Sequence, residues 1–155
     1  MRRTRWFVLL FACLLVVSAC GGKKPPDPSA IKGKGILSVL RDMTKAYGEK
    51  SLDSFMANVS DDYPDRNGFS AALASVFANH DTVHFNVQYT KMLILVQDKG
   101  RITVSCNWDA EWLARGTTRK GGGRITFAFD GVTLKLVAIE GKNPFIPPAE
   151  STVKP

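Results

Sequence analysis

The side chains of this chain that could move a proton are few and scattered. Tyr47, His80, His84 and Asp109 are the candidates for acid–base work. Such a group needs a pKa shifted by burial or by a charged partner, and a place within reach of the substrate. The pattern supplies neither. Asp109 shares its phase with Ser105 and Asn107, the polar side of an alternating segment, and His84 points away from Phe85. His80 and Asp81 stand just ahead of that alternation, where a loop is the plain reading. Histidines on both sides of Asp81 suggest a metal, but a site takes about three or four converging ligands. No compact His/Cys/Asp/Glu set completes one, so no metal and no cofactor is expected. Cys106 sits between Val104 and Trp108 on an apolar face, where cysteine behaves as a small buried hydrophobe. No residue is assigned a catalytic role.

Two groupings are better suited to binding than to reaction. Gly121-Gly122-Gly123 lies among Arg115, Arg119, Lys120 and Arg124. Backbone N–H groups and cations together can hold an anion or an acidic partner. The run lacks the lysine-serine/threonine ending and the following helix of a phosphate loop, so a solvated, flexible hairpin edge is the plain alternative. Trp108, Trp112, Phe127 and Phe129 place a large apolar area on neighbouring strands. They read either as core beneath helices or, with Tyr47, as the wall of a partly open ligand pocket formed by Tyr47, Trp108, Trp112 and Phe127.

The N-terminus runs Met-Arg-Arg-Thr-Arg, then apolar residues from Trp6 to Val17, then Ser18-Ala19-Cys20. A charged start, an apolar run and a small-residue cleavage site make a secretory signal. The run is about 12 residues, short of the about 20 that cross a bilayer. Val17-Ser18-Ala19-Cys20 resembles the lipobox of bacterial lipoproteins. The resemblance implies that residues 1–19 are removed and that the soft thiolate of Cys20 takes a diacylglyceryl group. Cys20 then becomes the acylated N-terminus and a membrane anchor. Ordinary cleavage near Ala19, leaving a soluble protein, is the rival reading. Gly21 stands where an aspartate would favour inner-membrane retention in that family. The resemblance therefore implies the outer membrane, with the domain facing the periplasm, if the organism has two membranes.

Loss of that signal lowers the net charge from +7 to +4, because Arg2, Arg3 and Arg5 leave and no acid does. Moderate positive charge suits an anionic membrane surface and does not by itself indicate nucleic acid, which is not expected as a partner. Cys13 leaves with the signal and Cys20 is committed to acylation, so Cys106 has no intramolecular disulfide partner. The core alone must hold the domain.

The elements that must position these groups follow from periodicity. Residues 20–29 are rich in Gly and Pro and read as a tether. Ile36, Val39, Leu40, Met43, Ala46 and Tyr47 form one helical stripe, stopped by Gly48. Ser51 should cap a short helix bearing Leu52, Phe55, Met56 and Val59. A third helix is expected over about Gly68 to Ala78. From Thr82 the period becomes two: Val83, Phe85, Val87 and Tyr89, then a blurred stretch through Val96 that suggests a bulge or burial on both faces. Asp98-Lys99-Gly100 reads as a hairpin turn. Ile102, Val104, Cys106, Trp108, Ala110 and Trp112 form the clearest alternation in the chain. Arg115-Gly116-Thr117-Thr118 is the next turn. Ile125, Phe127 and Phe129 alternate, Asp130-Gly131 reads as a two-residue hairpin, and Val132, Leu134 and Leu136 open the last strand.

Helices followed by a meander make an α+β domain over residues 30–140: N-terminal helices on a curved antiparallel sheet of about four strands. Ala46-Tyr47, Leu52-Asp53, Phe55-Met56 and Asp61-Asp62-Tyr63 resemble the opening helices of the nuclear transport factor 2-like (NTF2-like, or SnoaL-like) superfamily. A cystatin-like cone is the structural rival. The resemblance implies either a noncatalytic binding module, for a small apolar ligand or an envelope protein, or a small cofactor-free isomerase or dehydratase. It also implies that the sheet could form a homodimer. Residues 141–155 read as a Pro-rich tail whose Phe145 and Ile146 either dock back or engage another protein.

Overall fold

The computed structural model describes residues 28–96 and 100–148. The signal, Cys20, most of the tether, Asp98 and Lys99 of the first hairpin turn, and residues 149–155 lie outside the described residues. Three helices, α1 (Pro28–Gly48), α2 (Leu52–Met56) and α3 (Arg66–Asn79), precede four strands, β1 (Thr82–Val96), β2 (Arg101–Ala114), β3 (Thr117–Asp130) and β4 (Leu136–Glu140). The strands form one antiparallel meander in the order β1-β2-β3-β4.

Helix α1 buries Ile36, Leu40, Met43 and Tyr47, the stripe expected from their spacing. It begins earlier than the expected tether boundary, at Pro28. Proline fits the first helical turn because its missing N–H would have no partner there. The helix also absorbs Gly33 and Gly35. An interior glycine costs about 1 kcal/mol relative to alanine, and at Gly35 the bare backbone makes room for a neighbour. A Cβ there would lie 2.6 Å from Leu134 Cδ1, so the β3–β4 turn packs directly on the helix.

Ser51 occupies the N-cap position of α2, but its hydroxyl meets Ser54 Oγ at 2.8 Å and makes no capping bond. Val59 is buried from beyond the helix, through a parallel bridge to Leu136. Asp65 caps α3 in the left-handed region, at φ 49°, and accepts a hydrogen bond from the Gly68 N–H at 3.1 Å.

Alternation places Val83, Phe85 and Val87 of β1 and Ile102, Val104, Cys106, Trp108, Ala110 and Trp112 of β2 on the inward face, all buried. The register slips between Gln88 and Leu93, which is the expected bulge. The alternative of burial on both faces does not hold, because Leu93 and Leu95 are exposed. The β3–β4 connection also departs from expectation. Asp130 Oδ1 accepts hydrogen bonds from the N–H groups of Val132 and Thr133 and from the Thr133 hydroxyl. This widens the connection into a loop, with Leu134 at φ 57°. Val132 is 86% exposed in that loop and is not a strand residue; β4 starts only at Leu136. An aspartate that captures the following N–H groups competes with a tight two-residue turn.

The meander gives the domain two distinct ends. The start of α1, Gly100–Arg101 and the β3–β4 loop lie together at one end, with the Gly131 N–H bonded to the Gly100 carbonyl. The end of α1, His80–Asp81 and the β2–β3 turn at Arg115–Gly116 lie together at the other. Strand β2 joins them over 14 residues, a separation of up to about 45 Å.

The glycines of β3 have a packing role. A Cβ on Gly121 would lie 2.9 and 3.0 Å from the Trp112 ring and 3.2 Å from the Trp108 ring. We predict that Gly121→Val destabilises the domain by about 1–3 kcal/mol, read as a lower midpoint in urea unfolding.

Candidate functional site: a capped cone and its basic mouth

Tyr47, Trp108, Trp112 and Phe127 converge, as their phases require. Tyr47 comes from the last turn of α1, and the other three come from the inward rows of β2 and β3. All four are buried and packed. The space they would have left open is occupied by Phe145 of the tail, which is fully buried. Its ring lies 4.7 Å from that of Phe85 and 4.8 Å from that of Phe55, both edge-on, and 5.3 Å from that of Tyr47. These are favourable aromatic geometries.

A short polar chain crosses this apolar interior. Trp112 Nε1 donates to the Tyr47 oxygen at 2.6 Å, and the Tyr47 hydroxyl donates to the Phe145 carbonyl at 2.9 Å. Both buried polar groups are thereby satisfied, which burial demands. The Phe145 N–H donates to Asn143 Oδ1 at 3.0 Å. Burial raises the Tyr47 phenol well above its ordinary value, with the Trp112 hydrogen bond opposing it. The phenol is a hydrogen-bond donor here and a poor base. Among the described residues no Asp, Glu or His side chain is buried in the cone. Trp108 Nε1 is buried with no hydrogen-bond partner among the described residues.

The four basic residues expected to act together are separated by the sheet. Trp112 pairs with Arg119 and Glu111 with Lys120, so Arg119 lies on the helix side and Lys120 on the outer side. Lys120 Nζ forms an ion pair with Glu111 at 2.5 Å, and Arg124 shares the outer face with Asn107. Arg115 lies at the β2–β3 turn with φ 48°, and its N–H donates to Asp81 Oδ2 at 3.0 Å. The flexible glycine edge is likewise absent: Gly121–Gly123 is regular strand, and Gly121 forms the floor beneath the two indoles. The physical reason is register. Gly121 pairs with Ala110, between the two tryptophans of the inward row, and both indoles lean over it into the space a Cβ would take.

Arg115 and Arg119 do come together, with His80, whose plain reading in the sequence is a loop residue. They line a cavity of about 410 Å³ with Asn79, His80, Trp112, Ala114 and Thr117. His80 Nδ1 lies 2.8 Å from the Val76 carbonyl at the end of α3. A carbonyl only accepts, so Nδ1 carries the proton and Nε2 is left to face other partners. The cavity is the mouth of the cone, with a basic rim above the buried Trp112. It suits an acidic group. Sequence reasoning named the arginines and, separately, His80 as a weak acid–base candidate, but neither joined them nor singled out Asn79, because the end of a helix reaches this turn only through the tertiary fold.

The other candidates lie elsewhere. His84 faces outward in a groove of about 260 Å³ with Thr82, Glu111, Leu113 and Thr118. Asp109 accepts from Asn86 Nδ2 at 3.1 Å on the same outer face, which is polar along this half. Among the described residues no group of three His, Cys, Asp or Glu side chains is placed to hold a metal.

Two outcomes follow from the packing. Phe145→Ala should cost about 3–5 kcal/mol, measured by urea unfolding. Burial pushes the Cys106 thiol up to about 11, from an ordinary value of 9.0. The unfolded chain therefore loses this proton first. Stability contributed by the protonated thiol is fully present below about pH 9 and lost as pH rises through about 11. Cys106→Ala should flatten that part of the alkaline limb in unfolding curves taken across the same range.

No protein-family model matches the chain, and no curated protein matches its sequence. Solved structures do match its fold. An NTF2-like superfamily protein from Salmonella enterica superposes with a TM-score of 0.63 at 10% identity, covering 81% of this chain and 96% of that one. A scytalone dehydratase-like protein from Novosphingobium aromaticivorans gives 0.62 at 11% identity, covering 74% and 85%. A pinacolase from Penicillium brevicompactum gives 0.59 at 6% identity, covering 76% and 86%. At these identities the likeness is one of fold: helices on a curved antiparallel sheet, the NTF2-like cone.

Proposed function

We propose that this chain is a lipid-anchored envelope protein, held through Cys20, whose NTF2-like domain binds an envelope protein through an acidic contact segment. One observation carries the reading. The cone interior is filled by the chain's own Phe145, while the mouth keeps a cavity of about 410 Å³ rimmed by His80, Arg115 and Arg119 over Trp112. Cationic rims steer acidic partners and set their orientation. The mouth lies at the end of the sheet away from Pro28, where the tether enters. An outer-membrane anchor would therefore leave it facing the periplasm.

A second reading, a small cofactor-free isomerase or dehydratase, draws on the Tyr47–Trp112 hydrogen bond and on the dehydratase-like and pinacolase neighbours. It requires Phe145 to leave the cone.

A photo-crosslinking side chain at Thr117, on the rim of the mouth, distinguishes them in cells. The binding reading expects a discrete protein adduct, reduced several-fold by Arg115→Glu with Arg119→Glu. Absence of any protein adduct, together with a small-molecule adduct in native mass spectrometry that Tyr47→Phe abolishes, would favour the enzyme. Cys20→Ser should abolish acyl labelling and release the chain from membranes; a variant that stays labelled and bound would refute the anchor.

A further inference from the structure

We propose that the end of the domain opposite the mouth rests on an anionic phospholipid surface. This deepens the anchoring proposed above and rests on it. Three segments build this end: the first turns of α1, Val96 with Gly100–Arg101, and the β3–β4 loop. The Gly131 N–H bonds to the Gly100 carbonyl, Arg101 pairs across from Asp130, and Leu134 packs over Gly35. The three segments therefore present one surface.

The apolar side chains left in solvent gather toward this end. Val132 is 86% exposed, Ile31 56%, Leu95 50% and Val96 42%. The remaining large exposed apolar residues among those described, Tyr89 and Leu93, flank the bulge in the same half of β1. Lys32, Lys34, Arg101 and Lys135 belong to the same three segments, with Asp130 as the acid among their described residues. The Asp130 carboxylate is engaged by the loop N–H groups and interacts with Lys32, so its charge offsets one of the four cations and leaves the end net positive. Apolar tips within a ring of cations match the boundary between acyl chains and anionic head groups.

Chain length supports the same orientation. Eight residue steps separate Cys20 from Pro28, a reach of at most about 30 Å. An acyl group at Cys20 would hold the start of α1 within that distance of the bilayer, and Ile31, Lys32 and Lys34 follow within two turns. Among the described residues no helix is long and apolar enough to cross a membrane.

The test uses the full acylated chain in vesicles of phosphatidylethanolamine and phosphatidylglycerol. A fluorophore is placed at Val132→Cys or, as a control at the mouth, at Thr117→Cys; Cys106 is buried and escapes labelling. Lipids carrying a nitroxide should quench the Val132 probe and spare the Thr117 probe. The triple variant K32E/R101E/K135E should keep its anchor and lose roughly half of that quenching or more. A Val132 probe as unquenched as Thr117 in an acylated, membrane-held chain would overturn the proposal and leave the anchor standing. A Val132 probe already shielded without lipid, with concentration dependence, would assign this surface to a second copy and also overturn it. A chain without an acyl group at Cys20 would overturn the anchor first, and the proposal with it.

Discussion

The packing of Phe145 into the cone is the contact on which the rest of the structure depends. A curved sheet with helices on its concave side leaves a hollow that must be filled by side chains, ligand or water. Here Tyr47, Phe55, Phe85 and Phe127 surround the hollow and Phe145 fills it. The ring brings its own carbonyl into the interior, where an unpaired acceptor would cost several kcal/mol in an apolar setting. The Tyr47 hydroxyl satisfies that carbonyl and the Trp112 N–H satisfies the Tyr47 oxygen. Aromatic burial and this two-bond chain stabilise each other. Phe145 of the tail is therefore part of the core, packed among the aromatic rings that line the cone.

This arrangement moves the candidate chemistry to the surface. A buried phenol held above its ordinary pKa by desolvation keeps its proton, and both hydrogen-bonding roles of the Tyr47 hydroxyl are already taken up by Trp112 and Phe145. The polar groups that converge on open space are at the rim, where α3 ends and the β2–β3 hairpin turns. Asp81 ties the two together by accepting the Arg115 N–H. The opposite end collects exposed apolar residues and lysines. The long strands hold these two surfaces apart at a fixed distance, and the proposed anchoring and binding use opposite ends of that separation.

The inward rows of β2 were legible because alternation of Ile102, Val104, Cys106, Trp108, Ala110 and Trp112 allows only one face to be buried. The stripe of α1 was legible for the same reason at helical period. The basic cluster was not, because adjacency in sequence along a strand means opposite faces of a sheet. Arg119 and Lys120 were read as neighbours and point to opposite sides. Gly121–Gly123 carried an ambiguous signal: glycine runs mark both loops and places where another group comes close. Only the register against Trp108 and Trp112 shows which applies. The β3–β4 turn was misread because the reach of the Asp130 carboxylate to two following N–H groups depends on a loop conformation that the Asp-Gly pair alone does not specify.

By itself the sequence determined the α+β class, the helical stripe and the inward faces of the strands, because these depend on local composition and on periods of 3.6 and 2. The tertiary structure alone decided whether the cone stands open, since that turns on where Phe145, 98 residues beyond Tyr47, comes to rest. It also decided which cations share a surface and that His80 joins two arginines at the mouth. Such convergence is set by register and long-range packing, and neither is encoded in the spacing of residues along the chain.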